Sequence, residues 1–451
     1  MSTTREVADF VAGLKYTDLT PHLIQRKKDH VLDQLGIQIG VSRKHLLKLA
    51  VDYVKAQANK PEASIACCPE KVSLENAEFV NGSFGHGFEL DDVYAPALAH
   101  LGPAVVPAAL AVAERDGSSD EDFLLAVVTG YEVMGRCGDT LSPSQLYRGF
   151  HPTSAAGPLG SVAATEKLLG LDADTMAHAL AVSASFCSGE TECYKSGGEV
   201  KCYHGGIGAQ RGIRAAMLAQ LGLTGPATVL EGSLGMKAFS DTYTPEVITD
   251  RLGERFNVAD IWTKKYSCNG MIHAPVNGVK AIRARRPYAV ADIERIDIGS
   301  NQHAVNEVGS IRLSRDMFGF EFSMNYALAL QLVKGSNGFD AFVEENLHDP
   351  EIVALAERIF MNTDEEMQSW FPKALGARVT IKFKDGSVEE ELIRDCCGSP
   401  GNPMTADELE TKARNITRMS MSAEKFKGII EAVHSLESLR DMRSLGDLLR
   451  D

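Results

Sequence analysis

Apolar residues recur with the three- to four-residue spacing of an α-helix along most of the chain up to about residue 260. Phe123, Ala126, Val127 and Gly130 form one such stripe, and Gly, Pro, Asn, Asp or Ser residues separate successive helical segments. Small residues are frequent on these segments, which permits close contact between helices. The pattern therefore predicts a helical domain whose first part spans residues 1–263.

Between residues 264 and 396 the pattern changes to an alternation of apolar and polar positions. Residues 293–298 and 377–383 each alternate with period two, and Asp385-Gly386 follows the second run. An Asp-Gly pair after an alternating run is typical of a hairpin turn. This part is predicted to form a smaller α+β lid domain over residues 264–396.

Helical spacing returns after Pro403, where Thr405 and Glu408 have the spacing of a capping box. The apolar stripe that follows comprises Phe426, Ile429, Ile430, Val433, Leu436 and Leu439. We expect residues 397–451 to pack back on the first helices as the C-terminal part of the helical domain. The predicted fold is mostly α, a large all-helical domain with the α+β lid inserted.

Composition excludes several classes of protein. The formal charge of −15, without a run rich in Lys or Arg, argues against nucleic acid as a partner. No apolar run is long enough to span a membrane, and the acidic start of the chain lacks a signal segment, which favours a cytoplasmic location. The nine cysteines contain no Cys-x-x-Cys pair and are expected to be free thiols.

The strongest candidate for chemistry is the stretch from His86 to His100, with Glu89, Asp91 and Asp92 between the two histidines. It runs into a Gly-Pro start of an apolar helix at Pro103. Acids and imidazoles on a loop that enters a buried helix suit binding and proton transfer. Alternatively, the carboxylates only complement the dipole of that helix.

Four further segments carry polar groups. Residues 148–153 place His151 before an Ala/Gly-rich helix, and a basic cluster that includes Lys201 and His204 opens the next helix as a potential anion site or a solvated basic face. Residues 264–275 lie at the predicted domain boundary, and residues 320–329 contain Tyr326, most simply a half-buried aromatic residue. The sequence has no P-loop and no His-Glu-x-x-His or Gly-x-Ser-x-Gly motif.

Taken in order, these five segments resemble the MmgE/PrpD family. The resemblance rests on five motifs: His-x5-Asp from His86 followed by His and Gly-Pro, Gly-Phe-His-Pro-Thr at 149–153, Lys-Cys-Tyr-His-Gly-Gly at 201–206, Lys-Lys-Tyr-Ser-Cys at 264–268 with a later His, and Phe-Ser-x-x-Tyr-x-x-Ala at 322–329. The family includes 2-methylcitrate dehydratases, cis-aconitate decarboxylases and iminodisuccinate epimerases.

The resemblance implies a homodimeric enzyme without a metal or organic cofactor, whose pocket between helical domain and lid binds a small di- or tricarboxylate. It makes His100 the leading proton donor or acceptor, with Lys201, Lys264 and Tyr326 as the other catalytic candidates. The candidate substrate-binding residues are Glu89, Asp91, Asp92, His151, His204, Asn269 and His273.

The sequence departs from the family pattern at three places. Glu89-Leu90-Asp91-Asp92-Val93 stands where many members have Asp-x-Asp-Asp-Thr, one extra residue precedes His100, and Asn269 replaces a histidine of decarboxylase-like members. We therefore predict a hydro-lyase similar to 2-methylcitrate dehydratase. The alternatives are an epimerase of a substituted succinate, a cis-aconitate-type decarboxylase and, disfavoured by the retained His100 and lysines, a non-catalytic carboxylate-binding protein.

Overall fold

The computed structural model describes residues 2–312, 314 and 316–450, and it is mostly helical with a small mixed sheet in the C-terminal region, as predicted. The helices of the N-terminal region are α1 (Thr3–Gly13), α2 (Pro21–Val41), α3 (His45–Lys55), α4 (Leu74–Gly85), α5 (Gly102–Asp116), α6 (Asp120–Leu141), α7 (Ser144–Tyr147), α8 (Pro152–Leu169), α9 (Ala173–Ala184), α10 (Cys193–Ser196), α11 (Tyr203–Gln220) and α12 (Glu246–Thr249). A short antiparallel ribbon, β1 (Ala63–Ser64) and β2 (Lys71–Val72), lies between α3 and α4.

Helices α4, α5, α6, α8 and α11 pack closely because glycine and other small residues face one another. A Cβ atom on Gly206 of α11 would lie 2.1 Å from the carbonyl oxygen of Phe79 in α4, and one on Gly212 would lie 2.5 Å from Cβ of Ser161 in α8. Such contacts leave no room for a side chain. They also place the first residues of α5, α8 and α11 near one another.

The lid contains α13 (His273–Arg285), β3 (Ile293–Ser300), α14 (Gln302–Asn306), α15 (Met317–Phe322), α16 (Met324–Lys334), α17 (Glu344–Leu347), α18 (Pro350–Ala356), β4 (Ile359–Thr363), α19 (Glu365–Trp370), β5 (Ala377–Phe383) and β6 (Val388–Ile393). The sheet order is β4-β3-β5-β6, with β3 parallel to β4 and antiparallel to β5. The predicted strands and hairpin turn are confirmed as β3, β5 and β6, with Gly386 at φ 86°. Strand β4 was not anticipated from the sequence.

The last helices are α20 (Ala406–Thr417), α21 (Ala423–His434) and α22 (Arg443–Leu449). The capping box at the start of α20 is confirmed, since Thr405 and Glu408 each accept from the other's backbone N–H. Helices α20 and α21 pack on α2, and α22 packs on α5. Their apolar side chains Leu409, Phe426 and Leu445 belong to the core of the helical region, whereas the predicted boundaries at 263 and 396 stay a prediction.

Helical region and lid meet at the loop between α4 and α5. Val93 and Trp262 exchange two backbone hydrogen bonds of 2.9 and 3.0 Å, which join this loop to the segment that enters the lid. None of the helices that the structure describes is long and apolar enough to cross a membrane.

Candidate active site

A cleft lies between the helical region and the lid. The helical region lines it with polar residues from three elements that precede helices α5, α8 and α11, and with Tyr194. We call this surface the helical wall, and we call the surface that the lid contributes the lid wall. The helical wall presents Glu89, His100, His151, Tyr194 and Lys201, and the lid wall presents Asn269, His303 and Glu307.

The loop before α5 carries Glu89 into the cleft by an uncommon backbone path. Phe88 and Glu89 both have left-handed conformations, with φ of 61° and 52°. Non-glycine residues in this conformation cost about 1–3 kcal/mol each and persist where their surroundings hold them. Ser267 donates a hydrogen bond of 2.6 Å to the Phe88 carbonyl, and Lys412 donates one of 2.8 Å to the Leu90 carbonyl.

Glu89 connects two buried lysines. One carboxylate oxygen accepts from Nζ of Lys201, and the other lies 3.2 Å from Nζ of Lys264, which is 3.4 Å from Asp91. Burial acts to raise the pKa of Glu89, but the two ammonium groups outweigh it and lower that pKa. Burial likewise acts to lower the pKa of Lys264, whereas Glu89 and Asp91 raise it. Opposite charges therefore alternate through the cluster.

Asp91 and Asp92 fix the imidazole of His100. Nδ1 of His100 lies 2.8 Å from the carbonyl oxygen of Asp92 and 3.3 Å from the carboxylate of Asp91. Because a carbonyl only accepts, Nδ1 carries a proton, and Nε2 has a lone pair in the neutral ring and a proton in the imidazolium. The carboxylate of Asp91 also lies 2.6 Å from Nδ1 of His86. His100 is thus an oriented base, and Asp91 can stabilise its protonated form.

The side chain of Asp92 points away from the cleft and supports the loop. It accepts 2.9 Å from the backbone N–H of Gly102 at the start of α5 and 2.7 Å from the Tyr131 hydroxyl. Nζ of Lys27 lies 3.9 Å above the Tyr131 ring, and burial lowers the pKa of Lys27 to about 7. Asp92 therefore acts on the site through His100, whose Nδ1 binds the Asp92 carbonyl.

Three further imidazoles in or behind the helical wall have lowered pKa values. His151 and His204 share a hydrogen bond of 2.9 Å between their Nδ1 atoms, and the ring of His86 stacks on His151 at 5.4 Å. Burial and then the positive charge of Lys201 lower the pKa of His86 to about 3 and of His204 to about 4. Burial and His204 hold the pKa of His151 well below its usual value.

The lid wall contains two residues, His303 and Glu307, that the sequence analysis missed. Glu307 accepts 2.9 Å from the side-chain amide of Asn269 and lies 3.0 Å from Nε2 of His303. Both residues belong to a polar segment directly after strand β3. Polar residues at the end of a strand are the sequence feature that could have indicated them. Tyr194 was also missed, although it adjoins the basic cluster.

The predicted site residues form three groups: those that line the cleft, those directly behind them and those farther away. Glu89, His100, His151, Lys201 and Asn269 line it. Asp91, Asp92, His204 and Lys264 lie behind these residues and contact them or their neighbours.

Two predicted site residues lie farther from the cleft, among aromatic rings. Tyr326 packs against Phe320 within the core of the lid, at 5.4 Å between ring centroids. His273 is fully buried between the Trp262 and Tyr266 rings. Neither side chain lines the cleft, and their roles toward the substrate stay predictions.

One group among the described residues has the geometry to hold a metal ion. Donor atoms of His86, Asp91 and His100 lie within 4.8 Å of one another. The same atoms already bind one another, and the ammonium of Lys264 is 3.4 Å from the Asp91 carboxylate. Hydrogen bonding therefore accounts for this arrangement. The thiols of Cys137, Cys187, Cys193, Cys202, Cys268, Cys396 and Cys397 are free, as expected.

These contacts define what the helical wall can do. An imidazole with an available Nε2 faces the cleft beside the ammonium of Lys201. A base removes or returns a proton next to a substrate carboxylate, and the ammonium stabilises the negative charge that forms. The arrangement suits reactions that pass through a carbanion next to a carboxylate.

Comparison with known proteins agrees with this chemistry. Residues 5–247 match the MmgE/PrpD N-terminal domain and residues 266–438 match the MmgE/PrpD C-terminal domain. The chain is 28% identical to a cis-aconitate decarboxylase of Homo sapiens, covering 100% of this chain and 95% of that protein. It is 27% identical to a cis-aconitate decarboxylase-like protein of Aspergillus oryzae, covering 98% and 96%. A cis-aconitate decarboxylase of Aspergillus terreus is 28% identical, covering 99% and 95%. With both domains matched over most of its length, the chain is a member of the MmgE/PrpD family of carboxylate-acting enzymes.

Proposed function

We propose that the chain is a lyase that breaks a bond next to a carboxylate of a small di- or tricarboxylate by proton transfer through His100. The observation that carries this proposal is the fixed tautomer of His100, whose Nδ1 is held by Asp92 and Asp91 while the ring lines the cleft. His151 and Lys201 share that wall and supply donors to the substrate carboxylates.

Decarboxylation is the first reaction to test, because the relatives that match over nearly their whole length are named cis-aconitate decarboxylases. In this reaction the bond between carbon and the departing carboxylate breaks, CO₂ leaves, and the electron pair stays on the substrate carbon. The ammonium of Lys201 stabilises that charge. Protonated His100 then delivers its Nε2 proton to the substrate, while Asp91 stabilises the imidazolium beforehand.

Dehydration is the second candidate, and the lid wall favours it. Asn269 stands where decarboxylase-like members can have a histidine, and it orients the Glu307 carboxylate toward the cleft. A carboxylate there would accept from the hydroxyl of a hydroxylated acid such as 2-methylcitrate. Here Nε2 of His100 removes a proton next to a carboxylate, the carbon–oxygen bond of the hydroxyl breaks as the double bond forms, and the imidazolium of His100 returns the proton to the departing hydroxyl, which leaves as water.

The two reactions are separated by incubating the protein in D₂O with cis-aconitate, 2-methylcitrate, citrate and substituted succinates. Proton NMR follows the products, and released CO₂ is measured in parallel. CO₂ with deuterium in the product identifies decarboxylation, whereas a new alkene signal without CO₂ identifies dehydration. EDTA is expected to leave either rate unchanged.

His100→Gln tests the assignment of the acid–base group. We expect turnover to fall about 10²- to 10⁴-fold, the usual contribution of a positioned acid or base. His348→Gln alters an exposed histidine of the lid and is expected to retain the wild-type rate. Wild-type turnover by the His100→Gln protein would contradict the proposal.

A further inference from the structure

The acid–base chemistry assigned to the helical wall leaves one group of the cleft unexplained, the carboxylate of Glu307. A site for anionic substrates gains nothing from an additional negative charge on the opposite wall. Glu307 nevertheless lines the cleft, and its side chain is only 13% exposed. Both of its oxygens have partners from the lid, Asn269 and His303.

The partners of Glu307 hold it as an acceptor. The side-chain oxygen of Asn269 accepts 3.0 Å from the backbone N–H of Met271, so its NH₂ group must point to Glu307. His303 is positioned by ring contacts with Tyr147 at 5.7 Å and Phe371 at 5.6 Å. An ionised carboxylate has about four acceptor sites. Two remain for a ligand in the cleft after Asn269 and His303 have bound.

The charges around the cleft also favour a ligand that donates a hydrogen bond to Glu307. Lys201 in the cleft and Lys264 behind it already pair with Glu89, and Asp91 pairs with Lys264 and the histidines. Glu307 adds a carboxylate whose partners are an amide and an imidazole. A fully ionised tricarboxylate would bring three more negative charges to a site whose cations are already paired.

We propose that Glu307 is a specificity-determining residue that accepts a hydrogen bond from a hydroxyl or ammonium substituent of the substrate. The inference rests on the second reaction of the proposed function, dehydration, and names its substrate class, hydroxy- or amino-substituted carboxylates rather than donor-free ones. Asn269 and His303 position the Glu307 carboxylate. A ligand without a donor leaves this partly buried carboxylate short of a partner, and such mismatches discriminate strongly.

Succinate, malate and aspartate test this inference, because they share a dicarboxylate frame and differ by no substituent, a hydroxyl or an ammonium. Citrate and tricarballylate form a second pair that differs by one hydroxyl. Dissociation constants are measured by calorimetry with the His100→Gln protein, so that no ligand is consumed. We expect malate or aspartate to bind at least about tenfold more tightly than succinate, and the better of the two identifies the donor.

Glu307→Gln removes the charge with little change of shape, and it is expected to reduce that preference about tenfold. Glu351→Gln alters an exposed acid of α18 and should leave the preference intact. Equal binding of succinate, malate and aspartate, or binding of none of them, would overturn the inference. So would a preference that survives Glu307→Gln.

The outcome is separable from that of the proposed function. Equal binding of succinate, malate and aspartate, together with His100-dependent turnover of cis-aconitate, would overturn the inference and leave the lyase standing. A Glu307-dependent preference in a protein whose turnover does not need His100 would do the reverse.

Discussion

The two walls of the cleft hold charge in different ways. On the helical wall, Lys201, Lys264 and Glu89 are at most 4% exposed and bind one another in a continuous ionic cluster. On the lid wall, Glu307 is 13% exposed and its partners are a neutral amide and an imidazole. Buried ions tolerate no loss of a partner, whereas a carboxylate near water does. We therefore expect substitutions on the helical wall to cost more stability than substitutions on the lid wall.

The strongest test of this difference is Lys264→Met, which removes a fully buried cation and leaves Glu89 and Asp91 with an uncompensated charge. We expect the free energy of unfolding to fall by about 3–5 kcal/mol. Urea denaturation measures it. Lys265→Met is the matched control, because Lys265 pairs with Glu408 near the surface and should cost at most about 1 kcal/mol. Equal losses would show that the cluster is not buried as described.

Lowering the pH from 7 to 5 should weaken the helical wall. The pKa of His204 is about 4 in the folded protein and about 6.5 when unfolded. Between these values the unfolded chain binds more protons, so stability is present at pH 7 and falls as the pH decreases. The expected loss at pH 5 is about 2 kcal/mol for this histidine.

The contribution of His204 is isolated by comparing urea denaturation of the wild type and of His204→Gln at both pH values. The variant should lose about 2 kcal/mol less than the wild type between pH 7 and 5. His348→Gln, at an exposed site, should behave as the wild type. The same loss in His204→Gln as in the wild type would mean that folding does not shift the pKa of this imidazole.

The smallest effect is expected on the lid wall. His303→Gln changes the hydrogen-bond partner of Glu307 at a position that borders the cleft. We expect the free energy of unfolding to change by about 1 kcal/mol in urea denaturation, because water can replace the lost hydrogen bond. A loss as large as that of Lys264→Met would remove the distinction between the two walls.

Much of the fold and of the helical wall was predictable from the sequence. Helical spacing, the two alternating runs and the capping box at Thr405 each depend on neighbours within a few residues, and all appear in the structure. Glu89, His100, His151 and Lys201 stood out because each directly precedes, or lies in the loop that leads into, a helix rich in small residues. The resemblance to the MmgE/PrpD family indicated that these residues belong to one substrate site.

The lid wall was not predictable in this way. His303 and Glu307 follow an alternating strand and have no motif of their own, and Asn269 attracted notice only as a departure from the family pattern. Tyr326 and His273 have the right motifs, yet they pack among aromatic rings in the lid. Whether a side chain reaches the cleft depends on its orientation relative to a distant segment. Local spacing in the sequence does not encode that orientation.

The sequence by itself determined the helices, the strands of the lid hairpin and the chemical types gathered around His100, because these depend on local spacing and residue identity. Only the tertiary structure decided that Glu89 joins Lys201 to Lys264, residues more than one hundred positions away, and that Glu307 faces them across the cleft. The physical reason is that charge pairing and burial depend on distances between segments. Those distances are set when the lid packs on the helices.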